Sequence, residues 1–365
     1  MPAFADPRAT TADPPLADSY RALLRGCELD GRGIAPTSQQ APESPAVLER
    51  ELPMIDLQRL RSGDARERKA CVAAMASAAS EWGFFQVTGH GVGREVLEEM
   101  RREQARLFRL PFDTKEKAGL LNGSYRWGNP TATSLRQLSW SEAFHIPLVS
   151  ISGEDCDYGK LSSLRGVMRE VAGAMSRVAD TVAGALAENL GHEAGSTFPA
   201  SCDGTTCFLR LNRYPACPFA PDTFGLVPHT DSDFLTILCQ DQVGGLQLMK
   251  DSRWVAVKPH ADALIVNIGD LFQAWSNDRY KSVEHKVVAN SKAERFSVAY
   301  FLCPSYDSPV GTCAEPSPYE AFTFGEYRGK VQDDVKRTGK KIGLPNFLKR
   351  STLDAQKPHR PSLCS

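Results

Sequence analysis

The chain has 365 residues, of which 42% are hydrophobic and 24% charged, and its formal net charge is −1. That length holds one large domain with extensions or two modest ones, and the composition is that of an ordinary globular protein. A near-neutral balance without a long single-sign run argues against nucleic-acid and membrane-surface partners, and no apolar stretch is long enough to cross a bilayer.

Met1 to Leu16 contains early acids and several prolines and no apolar core, so neither a secretory signal nor a transit peptide is expected. Ten cysteines are scattered without a C-x-x-C pair, which predicts reduced thiols and neither a disulfide framework nor a zinc ribbon. A cytoplasmic location is expected, with the nucleus as a second compartment.

Residues 1–50 are rich in Pro, Ala, Ser and Gly and read as a flexible arm, with a short helix around Leu16 to Leu24. Leu52-Pro53-Met54-Ile55-Asp56-Leu57 predicts an outer strand. Cys71, Ala74, Met75 and Ala78 fall on one helical stripe that stops at Trp82-Gly83. Phe84 to Val87 is a strand and Gly89-His90-Gly91 a turn. Val96, Met100 and Leu107 mark a second helix, ended by Pro111, and Asp113 with Glu116 is spaced to cap a third.

Residues 122–160 show no clear period, and aromatics on irregular backbone often line a pocket. Leu164, Val167, Met168, Val171, Met175, Val178, Val182 and Leu186 then form a continuous stripe ending at Gly191, as expected of a helix backing a sheet. From Cys207 the pattern changes to short strands at 207–214, 224–229, 234–239, 245–249, 253–258, 263–268, 281–288 and 295–302, with turn signals at Gly244-Gly245 and Asp251-Ser252. Tyr319 to Val335 reads as a helix, and beyond Pro345 the chain is expected to fray.

The expected fold is mainly β with flanking helices, an α+β chain. Its core would be a double-stranded β-helix, the jelly roll of cupin-like proteins, backed by long helices. The expected divisions are an N-terminal arm (1–50), a helix-and-strand region (51–160), the backing helix with the jelly-roll core (161–305), a C-terminal helical extension (306–350) and a disordered tail (351–365).

His229-Thr230-Asp231 carries the clearest chemistry. In extended backbone, residues two apart point the same way, so His229 and Asp231 can reach one ion. His285 shares a strand face with Val283 and Val287, and an enclosed imidazole needs a partner. Two imidazoles and one carboxylate cover one side of an iron(II) ion and leave the other positions open. Arg295 and Ser297 are again two apart and face inward, while Phe296, Val298, Tyr300 and Leu302 face away. An inward arginine is costly without an anion, and no acid follows on its face, so a bound carboxylate is its expected partner. Asn212 and Tyr214 share a face and could bind the same acid; Cys239 reads as a small apolar filler near the metal.

These residues, with Trp82-Gly83-Phe84-Phe85, Gly89-His90-Gly91 and the Asn-x-Tyr-Pro-x-Cys run at 212–217, resemble the plant 2-oxoglutarate- and Fe(II)-dependent dioxygenases over about Leu52 to Phe347. Gly89 departs from that family, which usually has Asn there. The resemblance implies that His229, Asp231 and His285 ligate Fe(II). It also implies that Arg295, Ser297 and Tyr214, with Asn212, hold the distal carboxylate of the cosubstrate 2-oxoglutarate, that O2 is consumed, and that ascorbate is the reductant.

Tyr125-Arg126-Trp127-Gly128, the run from Ser139 to Phe144 and the run from Leu302 to Tyr306 are similar to the gibberellin 2-oxidases, in particular those acting on C20 precursors. That likeness implies 2β-hydroxylation, which inactivates the hormone, coupled to decarboxylation of 2-oxoglutarate to succinate and CO2. A gibberellin is a rigid apolar polycycle with a carboxylate. Tyr125, Trp127, Phe144, Phe301 and Tyr306 are candidates for the wall of its cavity, and Arg126 or Arg136 for the cation. The rival readings are a gibberellin 20-oxidase or another plant 2-oxoglutarate-dependent hydroxylase, and, in a different class, a non-catalytic jelly-roll binding protein. The oligomeric state is left open.

Overall fold

Two β-sheets lie face to face, and helices cover the outer side of the larger one. The computed structural model describes residues 11–29 and 47–349, apart from 118–119, 130–131, 154–155, 157, 194–197, 200–201, 203 and 221–222. The rest of the expected arm and the tail 351–365 lie outside the described residues.

In chain order, helix α1 (Leu16–Leu29) is followed by β1 (Glu49–Arg50), β2 (Met54–Asp56), α2 (Ala65–Glu81), β3 (Phe84–Thr88), α3 (Arg94–Phe108) and α4 (Phe112–Glu116). Then come β4 (Tyr125–Trp127), β5 (Glu142–Pro147), α5 (Leu148–Ser152) and α6 (Ser162–Asn189). The core strands are β6 (Phe208–Tyr214), β7 (Phe224–His229), β8 (Leu235–Gln240), β9 (Leu246–Lys250), β10 (Arg253–Val257), β11 (Leu264–Ile268), β12 (His285–Val288) and β13 (Arg295–Leu302). Helix α7 (Asp270–Trp275) separates β11 from β12, and α8 (Phe324–Thr338) follows the last strand.

The larger sheet runs β2-β3-β11-β8-β13-β6-β5-β4 and the smaller β1-β10-β9-β12-β7. The eight strands expected between 207 and 302 are all present, because alternating side chains and turn residues punctuate that stretch. The strand expected at 281–288 starts only at His285. Its first residues bond elsewhere, Lys281 N–H to Ala79 O and Ser282 N–H to Gln273 Oε1. Asp251 and Ser252 take positive φ, as do Gly244 and Gly245, in the turns their sequences announce.

The stripe on α6 is buried throughout and lies against β8 and β13. Leu52, Phe84, Leu246, Leu248, Val257 and Ile265 form a separate cluster that fills the space between the two sheets at one end. Gly89 has φ +60, and a side chain there would press on Asp56 Oδ1 and the Gln58 side chain.

Four further expectations need correction. The described start of the arm is docked: Leu16 is buried with Trp140, Cys217 and Ala289, and Tyr20, one turn on, stacks on Phe219 at 3.9 Å. Residues 122–160 are not irregular throughout, since β5 pairs with β6 along its whole length and β4 pairs with β5. Asp113 lies inside α4, whose N-cap is Pro111. The chain beyond Pro345 stays ordered through Leu348, because Phe347 packs on Phe322 and Tyr327.

Candidate functional site

Strands β7 and β12 are neighbours in the smaller sheet, and their register sets His229 opposite His285 with ring centres 4.3 Å apart. Each Nδ1 faces a main-chain oxygen two residues earlier, Val227 O at 2.8 Å and Val283 O at 3.1 Å. A carbonyl can only accept, so each Nδ1 carries the proton and each Nε2 keeps its lone pair. Both Nε2 atoms approach Asp231 Oδ1, at 3.6 Å from His229 and 3.7 Å from His285. Burial, and then the neighbouring His285, push His229 down to about 3, so its ring is neutral near pH 7.

Asp231 stands in the loop just past β7 and is buried. Its Oδ2 accepts from Thr236 Oγ1 at 2.6 Å and Asn267 Nδ2 at 2.5 Å, which leaves Oδ1 for the histidines. Burial alone would raise this carboxyl, but His285, His229 and the Thr236 hydroxyl outweigh it and hold it below its ordinary value. One nitrogen from each ring and one carboxylate oxygen thus lie within 4.8 Å of one another, the one such His/Cys/Asp/Glu group found among the described residues. Two neutral imidazoles and one carboxylate, with no fourth protein ligand among the described residues, suit a divalent first-row metal that keeps open positions. They do not suit a closed structural zinc site.

On β13, Arg295 is opposite Tyr214, and Ser297 lies between Asn212 on one side and Gln240 on the other. Arg295 is 2% exposed. Its Nη2 donates to Gln240 Oε1 at 2.7 Å, and its guanidinium sits 4.9 Å from the Tyr214 ring centre. Its Nε and Nη1 have no partner, and it forms no ion pair among the described residues. A buried cation with two unanswered donors demands an anion. Asn212 Nδ2 reaches Ser297 Oγ at 3.3 Å. Thr236 and Gln240 share one face of β8; the first holds Asp231 and the second Arg295, so both groups open into the same interior.

The next part of that interior is aromatic and basic. His145 stacks on Phe208 at 3.8 Å, and Phe208 on Phe301 at 4.3 Å. Arg210 shares the face of Asn212 and Tyr214, and its Nε donates to Asn212 Oδ1 at 2.8 Å. Burial, then Arg210, Arg328 and Arg126, push His145 down to about 4. None of those three arginines pairs with a carboxylate among the described residues. Among the described residues, Arg126 donates to main-chain oxygens, those of Gly123 and Tyr125. Arg328 lies over the stacked rings of Tyr306 and Phe324.

The expected cavity wall is therefore partly wrong. Tyr125 is opposite Phe144, and Phe144 opposite Leu211, which belongs to the helix-side core, so all three face away from the metal group. Tyr125 donates instead to Glu142, and Phe144 packs on Phe108. Trp127 is two residues from Tyr125 on the same face and meets Phe112 edge-on. Arg126 and Phe301 do face the interior, Tyr306 is half exposed and stacks on Phe324, and the side chain of Arg136 lies outside the described residues. Cys239 is not beside the metal group: it alternates with Leu238 and Gln240 and faces α3, where burial pushes its thiol up to about 11. Arg210, His145, Thr236, Gln240 and Asn267 escaped the sequence reading, although Arg210 has the same parity as Asn212 and Tyr214.

Two family models match: the 2OG-Fe(II) oxygenase superfamily over residues 205–304, and the N-terminal region of non-haem dioxygenases in morphine synthesis over residues 52–155. The chain is 76% identical to gibberellin 2-beta-dioxygenase 6 of Oryza sativa subsp. japonica, over 97% of this chain and 100% of that protein. It is 52% identical to gibberellin 2-beta-dioxygenase 8 of Arabidopsis thaliana, over 92% and 98% respectively. Among solved structures, JOX2 in complex with 2OG, Fe and JA superposes with a TM-score of 0.70 at 31% identity, covering 88% of this chain and 97% of that one.

Proposed function

Because this chain belongs to the 2OG-Fe(II) oxygenase superfamily, we propose that it is a gibberellin 2-beta-dioxygenase whose substrates are C20 gibberellin acids. The observation that carries the chemistry is the buried, unanswered guanidinium of Arg295 opening into the interior that holds His229, Asp231 and His285. The observation that carries the substrate is 76% identity over nearly the full length of a gibberellin 2-beta-dioxygenase.

On this reading His229, Asp231 and His285 hold Fe(II), and Arg295 and Ser297, with Tyr214 and Asn212, hold the far carboxylate of 2-oxoglutarate. Iron and the keto acid, when bound, supply the oxidant: 2-oxoglutarate loses CO2 to become succinate, and one oxygen atom of O2 ends as a hydroxyl on the substrate. The chain's own contribution is placement. Thr236 and Asn267 turn Asp231 Oδ1 toward the histidines. The stack of His145, Phe208 and Phe301 offers a flat apolar floor that excludes water.

Arg126, Arg210 and Arg328 supply cations for the substrate's acid groups. Three cations without acid partners favour a substrate with two free carboxylates, and this supports C20 acids over C19 gibberellins with a single one. Ascorbate as reductant and a cytoplasmic setting belong to the same proposal.

Product analysis tests it. Incubation with Fe(II), 2-oxoglutarate and C20 or C19 gibberellins should release succinate and add a single oxygen at carbon 2, faster with the C20 acids, and His229→Ala should abolish both. Loss of carbon 20 would instead identify a 20-oxidase, and unchanged turnover in His229→Ala would remove the ligand assignment.

A further inference from the structure

The loop that carries Asp231 is gripped by a residue from the far end of the chain. Lys341, just beyond α8, donates from Nζ to Thr230 O at 2.9 Å and to Ser232 Oγ at 2.8 Å, bracketing the metal ligand on both sides. The same ammonium pairs with Asp270 Oδ2 at 2.7 Å, and both side chains are largely buried. Asp270 is itself tied to the loop: its N–H donates to Asp231 O at 3.0 Å, and its Oδ2 accepts from Thr230 Oγ1 at 3.2 Å and from Tyr327.

The loop needs such help. Residues 230–233 are neither helix nor strand, so no ladder fixes them. Asp270 and Leu271, at the start of α7, hold the main-chain oxygens of residues 231 and 233. Lys341 donates to the Thr230 main-chain oxygen and to the Ser232 hydroxyl, the acceptors on either side of Asp231. An ammonium has three donors, and here all three are used on the loop and on the acid that supports it. Replacing it with an apolar chain would leave Asp270 buried without its cation and would free the main chain on one side of Asp231.

We propose that Lys341 is a positioning residue for the metal centre, a strap from the C-terminal segment that sets the place of Asp231 and therefore the affinity for the metal. This rests on reading His229, Asp231 and His285 as the iron ligands. Groups that orient a metal ligand without touching the metal typically change affinity 10- to 100-fold when removed.

The test uses Co(II) in place of Fe(II) on the full-length protein, followed by its visible absorption and by calorimetric titration, so that no turnover is needed. Lys341→Met should weaken Co(II) binding about tenfold or more, and Lys341→Arg should recover part of the loss. Asn346→Ala serves as the control. It loosens the same segment, whose Asn346 Nδ2 donates to Asp334 Oδ2 at 2.6 Å, without touching the loop, and should leave Co(II) affinity unchanged. Equal weakening in Asn346→Ala, or unchanged affinity in Lys341→Met, overturns the proposal while the ligand assignment stands. A wild-type chain that takes up no Co(II) removes both. Should Lys341→Met fail to fold, Ser232→Ala carries the test, with a two- to fivefold weakening expected and unchanged affinity counting against the strap.

Discussion

Arg295 and Tyr214 stand directly opposite each other on adjacent strands, and the guanidinium lies 4.9 Å from the ring centre. The ring shields one side of a cation that keeps two N–H groups unanswered. Arg295→Leu should therefore weaken 2-oxoglutarate binding by roughly two to three orders of magnitude, the cost of truncating a buried charged hydrogen-bonding partner. Co(II) affinity in the absence of the keto acid should change far less. The unliganded variant should also melt no lower than wild type, since an unpaired buried charge is gone. Titration of each ligand with thermal melts checks both halves, and a larger loss of metal than of keto acid would count against the role.

Arg210 should be felt by the substrate more than by the cosubstrate. Arg210→Ala is expected to raise KM for a gibberellin acid about 10- to 100-fold, as loss of a charge-assisted hydrogen bond does. The 2-oxoglutarate KM should move much less, through Asn212 alone. Steady-state kinetics with one- and two-carboxylate gibberellins would show whether the penalty is larger for the latter.

His145 makes the fold sensitive to acid. Its folded value near 4 lies below the ordinary 6.5, because the ring is buried and faces Arg210, Arg328 and Arg126. Between those two values the unfolded chain binds the proton more readily. Stability is thus fully retained above pH 6.5 and declines as pH falls toward 4, by up to about 3 kcal/mol from this residue. His145→Gln should flatten the fall in melting temperature between pH 6.5 and pH 5. A variant whose acid limb matches wild type would show that His145 is not the group responsible.

Lys115 and Glu142 form a pair with no exposure at either side chain. The ammonium also donates to Phe108 O at 2.9 Å, and Arg213 and Tyr125 complete the carboxylate. Burial outweighs the attraction and lowers the lysine from its ordinary value, so this is an expensive pair to leave incomplete. Lys115→Met should cost about 3–5 kcal/mol in urea unfolding. The double variant with Glu142→Gln should cost less than the sum of the two single changes. Strict additivity would mean that the two groups are not coupled.

Alternation is the property that made the site readable. Along β13 and β6 every second residue faces the interior, so Arg295, Ser297, Asn212 and Tyr214 were placed by parity alone. Arg210 follows the same rule, two residues before Asn212 on the same face of β6. Tyr125, Trp127 and Phe144 face away from the interior for a related reason. Tyr125-Arg126-Trp127 is also a strand, but three residues are too few to show a period, and pairing partners far along the chain decided its facing. Thr236 and Asn267 could not be assigned at all, because their value lies in where Asp231 ends up. The docking of Leu16 and Lys341 depends likewise on distant surfaces, which local composition does not describe.

His229 and His285 belong to the smaller sheet, Arg295 and Ser297 to the larger. A bidentate guest that touches metal and guanidinium at once would rivet the two layers together. Loading with metal and keto acid should then raise the melting temperature more than either does alone, a mutual reinforcement that grows with ligand concentration. The resting molecule would be the looser one, and supply of a common metabolite would decide how firmly the sandwich is clasped.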